Sequence, residues 1–260
     1  MPISRFRFLL LLTLVFVLGS PALARKYETG FLDRTLSLRG ITYKYQVFVP
    51  DNWSPNQKWP IILFLHGAGG RGADGLIQTQ VGIATAIRND RSRFPAIVVM
   101  PQCLKDQSWN NPDMEDVALA ALAAASEEFK GDHKRTYLTG LSMGGYGSWV
   151  LAAAYPNKFA AVVPVCGGIL PPDDARKQAD SDRIPYLEAA KKIGTKLPIW
   201  VFHGDADPVI PVSESRHMVE ALKAAGANVR YTEYPGVGHN SWDKAYADPE
   251  LMTWLLSKSL

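Results

Sequence analysis

Five short runs at positions 61–65, 96–100, 135–139, 160–165 and 199–202 are mostly continuous in apolar, β-favouring residues, and chain long enough for a helix separates most of them. A strand that is apolar on both sides must be covered on both faces, so this recurrence restricts the chain to a mostly parallel sheet between two layers of helices. The stretches between the runs agree. Residues 114–129 are alanine-rich with apolar positions at helical spacing, and 142–154 follow a strand directly. Residues 213–225 carry Val219 and Leu222 on one face, with Ser213 as the expected cap and Gly226 as the stop. A last strand is expected at 229–234. At the front, 34–38 and 41–50 surround a turn at Arg39-Gly40, the second alternating in polarity, and should form an antiparallel edge. The sum is an α/β fold with about eight strands, mostly parallel, and helices on both faces.

The chain of 260 residues is 47% hydrophobic, enough for one full core, so residues 25–260 are expected to form a single domain. Residues 1–24 read differently. Arg5 and Arg7 precede an apolar run from Phe8 to Leu18, and Ala22-Leu23-Ala24 closes the segment. A run of about eleven residues is short of the roughly 20 that cross a bilayer as a helix. The pattern is that of a signal peptide cleaved after Ala24, which implies a secreted or periplasmic product with no stable membrane insertion after cleavage. Removing 1–24 takes two arginines and no acid from 28 basic and 25 acidic side chains, leaving 26 against 25. With no block of like charge, the surface offers nothing to nucleic acid, and a small molecule is the expected partner.

Strand 135–139 runs into Gly140-Leu141-Ser142-Met143-Gly144-Gly145 and then into a helix, the context a G-x-S-x-G elbow requires. Glycines two residues either side let strand and helix pack closely and lift the Ser142 hydroxyl above the sheet. A serine hydroxyl is a weak nucleophile at neutral pH, so it needs a base, and the base needs a group to hold its tautomer. Of the five histidines, His133 reads as a solvated loop residue, His66 belongs to a glycine-rich turn, His203 ends a strand and suits a structural hydrogen bond, and His217 lies within a helix. His239 remains, on the loop Gly236-Val237-Gly238-His239-Asn240 after the last strand. In such sheets ligands bind at the carboxyl ends of strands, where Ser142 also lies. The acid should come from His203-Gly204-Asp205-Ala206-Asp207. Asp205 suits the turn and Asp207 reaches farther toward the histidine; both stay open on the residues, with Asp207 preferred.

An oxyanion needs two backbone donors. Met143, next to the nucleophile, supplies one. The turn His66-Gly67-Ala68-Gly69-Gly70 supplies the other, with Ala68 as the best-placed donor; it lacks the G-x-x-x-x-G-K-[ST] pattern of a phosphate loop. Trp109 and Trp242 fall on segments expected at the rim of the site and are candidates for stacking against substrate.

Together, Leu65-His66-Gly67-Ala68-Gly69-Gly70-Arg71-Gly72, Gly140-Leu141-Ser142-Met143-Gly144-Gly145, His203-Gly204-Asp205-Ala206-Asp207 and Gly238-His239 resemble an exported serine esterase of the α/β-hydrolase superfamily. Within it the chain is similar to bacterial carboxylesterases or predicted peptidases related to phospholipase/carboxylesterase and feruloyl-esterase-like enzymes. The resemblance implies the α/β-hydrolase fold, Ser142, Asp207 and His239 as triad, and Ala68 and Met143 as oxyanion donors. It implies a carboxylesterase acting on small or plant-derived esters, with a serine peptidase or amidase on the same triad as the alternative. Dienelactone hydrolases use a cysteine where this chain has Ser142. No cofactor and no metal are expected, since the chain has no His-Glu-x-x-His. About thirty residues separate 165 from 199, with a polar loop at 173–183 and a short helix at 184–193, so no large lid is expected. In the strand order usual for this fold, two strands separate the strand before Cys103 from the one before Cys166, a gap near 14 Å at about 4.8 Å per strand step, which predicts two free, buried thiols.

Overall fold

The computed structural model describes residues 27–171, 174–175 and 183–260. The expected signal peptide at 1–24 lies outside these residues, as do positions 172, 173 and 176–182 of the segment where a lid would sit. Among the described residues there are eight strands: β1 Gly30–Leu38, β2 Ile41–Val49, β3 Trp59–Leu65, β4 Ile97–Pro101, β5 Gly131–Leu141, β6 Ala161–Val165, β7 Ile199–Gly204 and β8 Val229–Tyr234. They form one sheet in the order β1-β2-β4-β3-β5-β6-β7-β8. β2 is antiparallel to both β1 and β4, and every other pairing is parallel. This is the α/β-hydrolase arrangement.

The helices are α1 Ile83–Asn89, α2 Pro112–Glu128, α3 Met143–Ala154, α4 Ile184–Ile193, α5 Ser213–Ala224, α6 Trp242–Ala247 and α7 Leu251–Leu256. α2 starts where chemistry dictates: the Asn111 side chain accepts from the Asp113 amide at 2.9 Å, Pro112 opens the first turn, and Asp113 and Glu115 face the positive end of the helix dipole. α5 differs from expectation at its start. Ser213 is its first helical residue rather than its cap, and Val212 precedes it without a side-chain bond. Its end is as read, for Gly226 has φ 83° and its amide donates to Lys223 O. α1, α6 and α7, with seven or six residues each, are too short for a periodic signal in sequence.

Strand alternation divides the core. Ile61, Leu63, Leu65, Ile97 and Val99 pack under α2, α3, α4 and α5, while Ile62, Phe64, Val98 and Met100 pack under α1, α6 and α7. β5 begins earlier than the apolar run suggests, because Gly131 pairs with Trp59 across a bulge. His133 therefore stands exposed on a strand rather than in a loop. Cys103 follows β4 and Cys166 follows β6, with β3 and β5 between them; both are free and buried. Among the described residues no helix is long and apolar enough to cross a membrane.

Candidate active site

The elbow joins β5 to α3. Ser142 sits there with φ 54° and ψ −119°, a left-handed backbone conformation that costs a non-glycine residue free energy and persists only where its surroundings enforce it. They do so by close packing. A Cβ on Gly140 would stand 2.2 Å from Gly144 O, and one on Gly144 would stand 1.9 Å from Leu65 O. Only glycines let α3 press against β3 and β5 this tightly, and the Ser142 amide is held by Val165 O at 2.9 Å.

Loops from the ends of β7 and β8 bring the other two side chains to Ser142. His239 Nε2 lies 2.9 Å from Ser142 Oγ, and His239 Nδ1 lies 2.7 Å from Asp207 Oδ2. An ionised carboxylate only accepts, so Nδ1 carries the proton and Nε2 is left to accept from the serine hydroxyl. The β8 loop closes over Gly204, where a Cβ would meet Val237 O at 2.1 Å. Asp205, the other acid of the segment, is exposed and accepts from the Gly236 amide at 2.7 Å, so it holds that loop's turn and lies outside the chain of bonds to Ser142.

Asp207 has a fully buried side chain. Its Oδ1 accepts from the amides of Val209 and Ile210 at 2.8 and 3.0 Å. Its Oδ2 receives a second histidine besides His239: His203 Nε2 lies 3.2 Å away, shared with Ile210 O at 3.1 Å, while His203 Nδ1 accepts from Ser215 Oγ at 2.7 Å. Burial by itself would raise the carboxyl pKa. The bonds from His203, His239 and the two amides outweigh it and hold Asp207 well below the usual carboxylate range. His203 makes the structural bond to its neighbouring turn that its place at a strand end predicts, and adds a contact with Asp207 beyond that expectation. The signal available was the four-residue spacing of the two side chains about a tight turn.

The turn after β3 is fastened from below. His66 is buried, and that burial pushes its pKa down to about 4, so it is neutral. Its Nε2 accepts from the Cys103 amide at 3.0 Å and its Nδ1–H donates to Gly67 O at 2.6 Å. Gly67 packs so closely on the elbow that a Cβ there would come within 3.4 Å of Ser142 Cβ, which brings Ala68 to the nucleophile's side. Met143 is the first residue of α3, and a first-turn amide has no acceptor within its own helix.

The two tryptophans part company. Trp242 lines the cleft and meets the His239 ring edge to face at 5.3 Å. Trp109 is not at the rim as expected: it is 1% exposed, lies edge-on to His66, and its Nε1 donates to His66 O at 2.9 Å, propping the turn from beneath. Its indole is simply too large and apolar to remain outside when a buried acceptor is within reach. The cleft above Ser142 has a volume of about 390 Å³, with Ile77, Val81, Leu141, Val209 and Trp242 as its apolar wall. Among the described residues, Cys166, Asp207 and His239 offer metal-donor atoms that all lie within 4.8 Å of one another.

An eight-stranded α/β-hydrolase sheet carrying Ser, His and Asp at its carboxyl edge beside a glycine-rich turn defines the class as a hydrolase of the esterase type. The family described as putative esterase matches residues 39–248, and the chain belongs to this family of carboxylic ester hydrolases. It is similar to a probable feruloyl esterase C of Aspergillus flavus, 28% identical over 76% of this chain and 67% of that one. A crystal structure of a thermostable esterase superposes with a TM-score of 0.74 at 33% identity, over 88% of this chain but 63% of the other, so this chain spans under two thirds of that protein's length. The fold is also that of a feruloyl esterase module from Clostridium thermocellum, solved as an S954A mutant complexed with sinapinate, with a TM-score of 0.66 at 17% identity over 86% of this chain and 87% of that one.

Proposed function

We propose that the chain is a secreted serine carboxylesterase that hydrolyses small or plant-derived carboxylic esters through an acyl-enzyme on Ser142. The observation that carries this reading is the unbroken run of hydrogen bonds from Ser142 Oγ to His239 and on to Asp207, at 2.9 and 2.7 Å, opening onto the cleft. Ser142 Oγ attacks the ester carbonyl while His239 Nε2 takes its proton. The amides of Ala68 and Met143 receive the charge that develops on the carbonyl oxygen. His239 then gives the proton to the departing alcohol, and a water activated by the same nitrogen releases the acid. Asp207 holds His239 in the tautomer that can accept. The apolar wall with Trp242 suits an aliphatic or aryl acyl group, and the similarity to feruloyl esterases favours an aryl one. Export rests on the pattern of residues 1–24.

A panel of p-nitrophenyl acyl esters, feruloyl and acetyl sugar esters and short peptide amides tests the reading. Esters are expected to turn over and amides not. Faster cleavage of the amides would replace the esterase with a peptidase, and full activity in Ser142→Ala would remove the nucleophile.

A further inference from the structure

Cys166 follows β6 directly beneath the elbow, with φ 39°, its amide held by Phe202 O at 2.8 Å and its side chain fully buried. The hydrolytic cycle makes no use of it. Yet its sulfur, an Asp207 oxygen and a His239 ring nitrogen lie within 4.8 Å of one another. A second observation points to the same spot. Ser241 Oγ is buried with no hydrogen-bond partner among the described residues, and it stands beside the Cys166 sulfur. A neutral thiol is a weak acceptor for that hydroxyl. A thiolate would accept from it more strongly, and what the pocket lacks is a positive charge to make the thiolate stable. Burial pushes the thiol up to about 12, so without such a charge Cys166 stays protonated.

We propose that Cys166, Asp207 and His239 form a binding site for a thiophilic divalent cation, zinc or cadmium, whose occupancy switches the esterase off. Sulfur, imidazole nitrogen and one carboxylate oxygen are a donor set such ions select. Bonds of about 2.0–2.3 Å in a tetrahedron place donors roughly 3.3–3.7 Å apart. The His239–Asp207 contact therefore has to open from 2.7 Å by about half an ångström, with the sulfur closing in by about an ångström from its present limit. Asp207 needs no new support, because His203 and the amides of Val209 and Ile210 already orient it as outer partners of a metal ligand do. His239 is the route in, its side chain being 19% exposed at the floor of the cleft.

The proton balance explains the switch. The cation displaces the thiol proton to solvent and takes the Nδ1 lone pair, which the ring frees by moving its proton from Nδ1 to Nε2. Nε2–H then donates to Ser142 Oγ and can no longer accept from it. The serine loses its base through side-chain shifts of no more than about an ångström. This switch rests on the triad proposed above; binding of the cation does not.

The test separates the two. Cadmium is titrated into the full chain while the near-ultraviolet thiolate-to-cadmium charge-transfer band is recorded, and zinc and cadmium are titrated in a p-nitrophenyl acetate assay. One cation per chain is expected to produce the band, with inhibition along the same saturation curve, and a chelator to reverse both. Cys166→Ala should keep its turnover, lose the band and lose roughly 100-fold in sensitivity. Cys103→Ala should keep both responses, and Ser142→Ala should keep the band without any activity. Undiminished inhibition of Cys166→Ala would place the cation elsewhere and overturn the site. So would the absence of a band in the unaltered chain at inhibiting cadmium, whether or not Cys166→Ala folds. A band without inhibition would overturn the switch alone.

Discussion

Asp207→Asn is nearly isosteric, but the site it enters is built from donors. The carboxylate accepts four bonds, from His239 Nδ1, His203 Nε2 and the amides of Val209 and Ile210. An asparagine can keep the two amides on its oxygen, which leaves its NH2 group facing two histidine N–H groups. His203 retains an alternative acceptor in Ile210 O at 3.1 Å. His239 has none, and relieves the clash by moving its proton to Nε2, where it blocks the transfer from Ser142. A wrong tautomer of this kind costs about 10⁴ in kcat, or about 5.4 kcal/mol at 1.36 kcal/mol per decade. The lost buried bonds should lower stability by about 1–3 kcal/mol. Asp205→Asn is the control: its exposed oxygen can still accept from Gly236, so activity should stay within about twofold. Initial rates on a p-nitrophenyl ester, with denaturant midpoints for all three chains, decide the matter. There is a pH signature as well. The folded-state pKa of Asp207 lies below its unfolded value, so its stabilisation is complete above about pH 4 and is lost as the pH falls toward the folded value. Asp207→Asn lacks this contribution and should lose less stability than the parent on going from pH 5 to pH 3. Equal activity losses for the two variants, or a larger one for Asp205→Asn, would refute the assignment.

Other outcomes follow from the same geometry. Ser142→Gly relieves the strain at φ 54° and should raise stability by about 1 kcal/mol, a Tm gain of about 2–4 °C, while Ser142→Ala keeps the strain; both lose hydrolysis by several orders of magnitude. His66 is held neutral down to about pH 4 against about 6.5 unfolded. Between those values the unfolded chain binds a proton that the folded one refuses, so stability should fall by on the order of 3 kcal/mol as pH drops through the window and level off below it. His66→Gln should flatten that slope in chemical denaturation. Trp242→Ala should raise KM for aryl esters about tenfold by removing apolar wall. Trp109→Phe, which loses the bond to His66 O and part of the buried ring's packing, should instead lower stability by about 2–3 kcal/mol and reduce kcat with KM unchanged. Steady-state kinetics that reversed this division would contradict their placement.

Much of the molecule follows from local pattern. Runs such as 61–65 are apolar on both sides and require cover on both faces, and that requirement holds before any partner strand is known. The Ser142 elbow is legible in its own G-x-S-x-G pattern, although the contact that demands Gly144 is with Leu65 O on β3. The choice between Asp205 and Asp207 was narrowed by reach along a single loop. What no local pattern carries is the company a side chain keeps across the sheet. Trp109 has the sequence context of a rim residue, and only the packing of α2 and the β3 turn shows that its indole is consumed by His66. His203 bonds the same carboxylate as His239, which lies 36 positions away and arrives from another strand. Cys166 reaches the underside of the triad because β5, β6 and β7 are neighbours. Backbone conformation and burial pattern are set by residues near in the chain, and so are written in it. The hydrogen-bond partner of a buried polar group is set by which strands lie side by side, and that is decided only when the sheet closes its order.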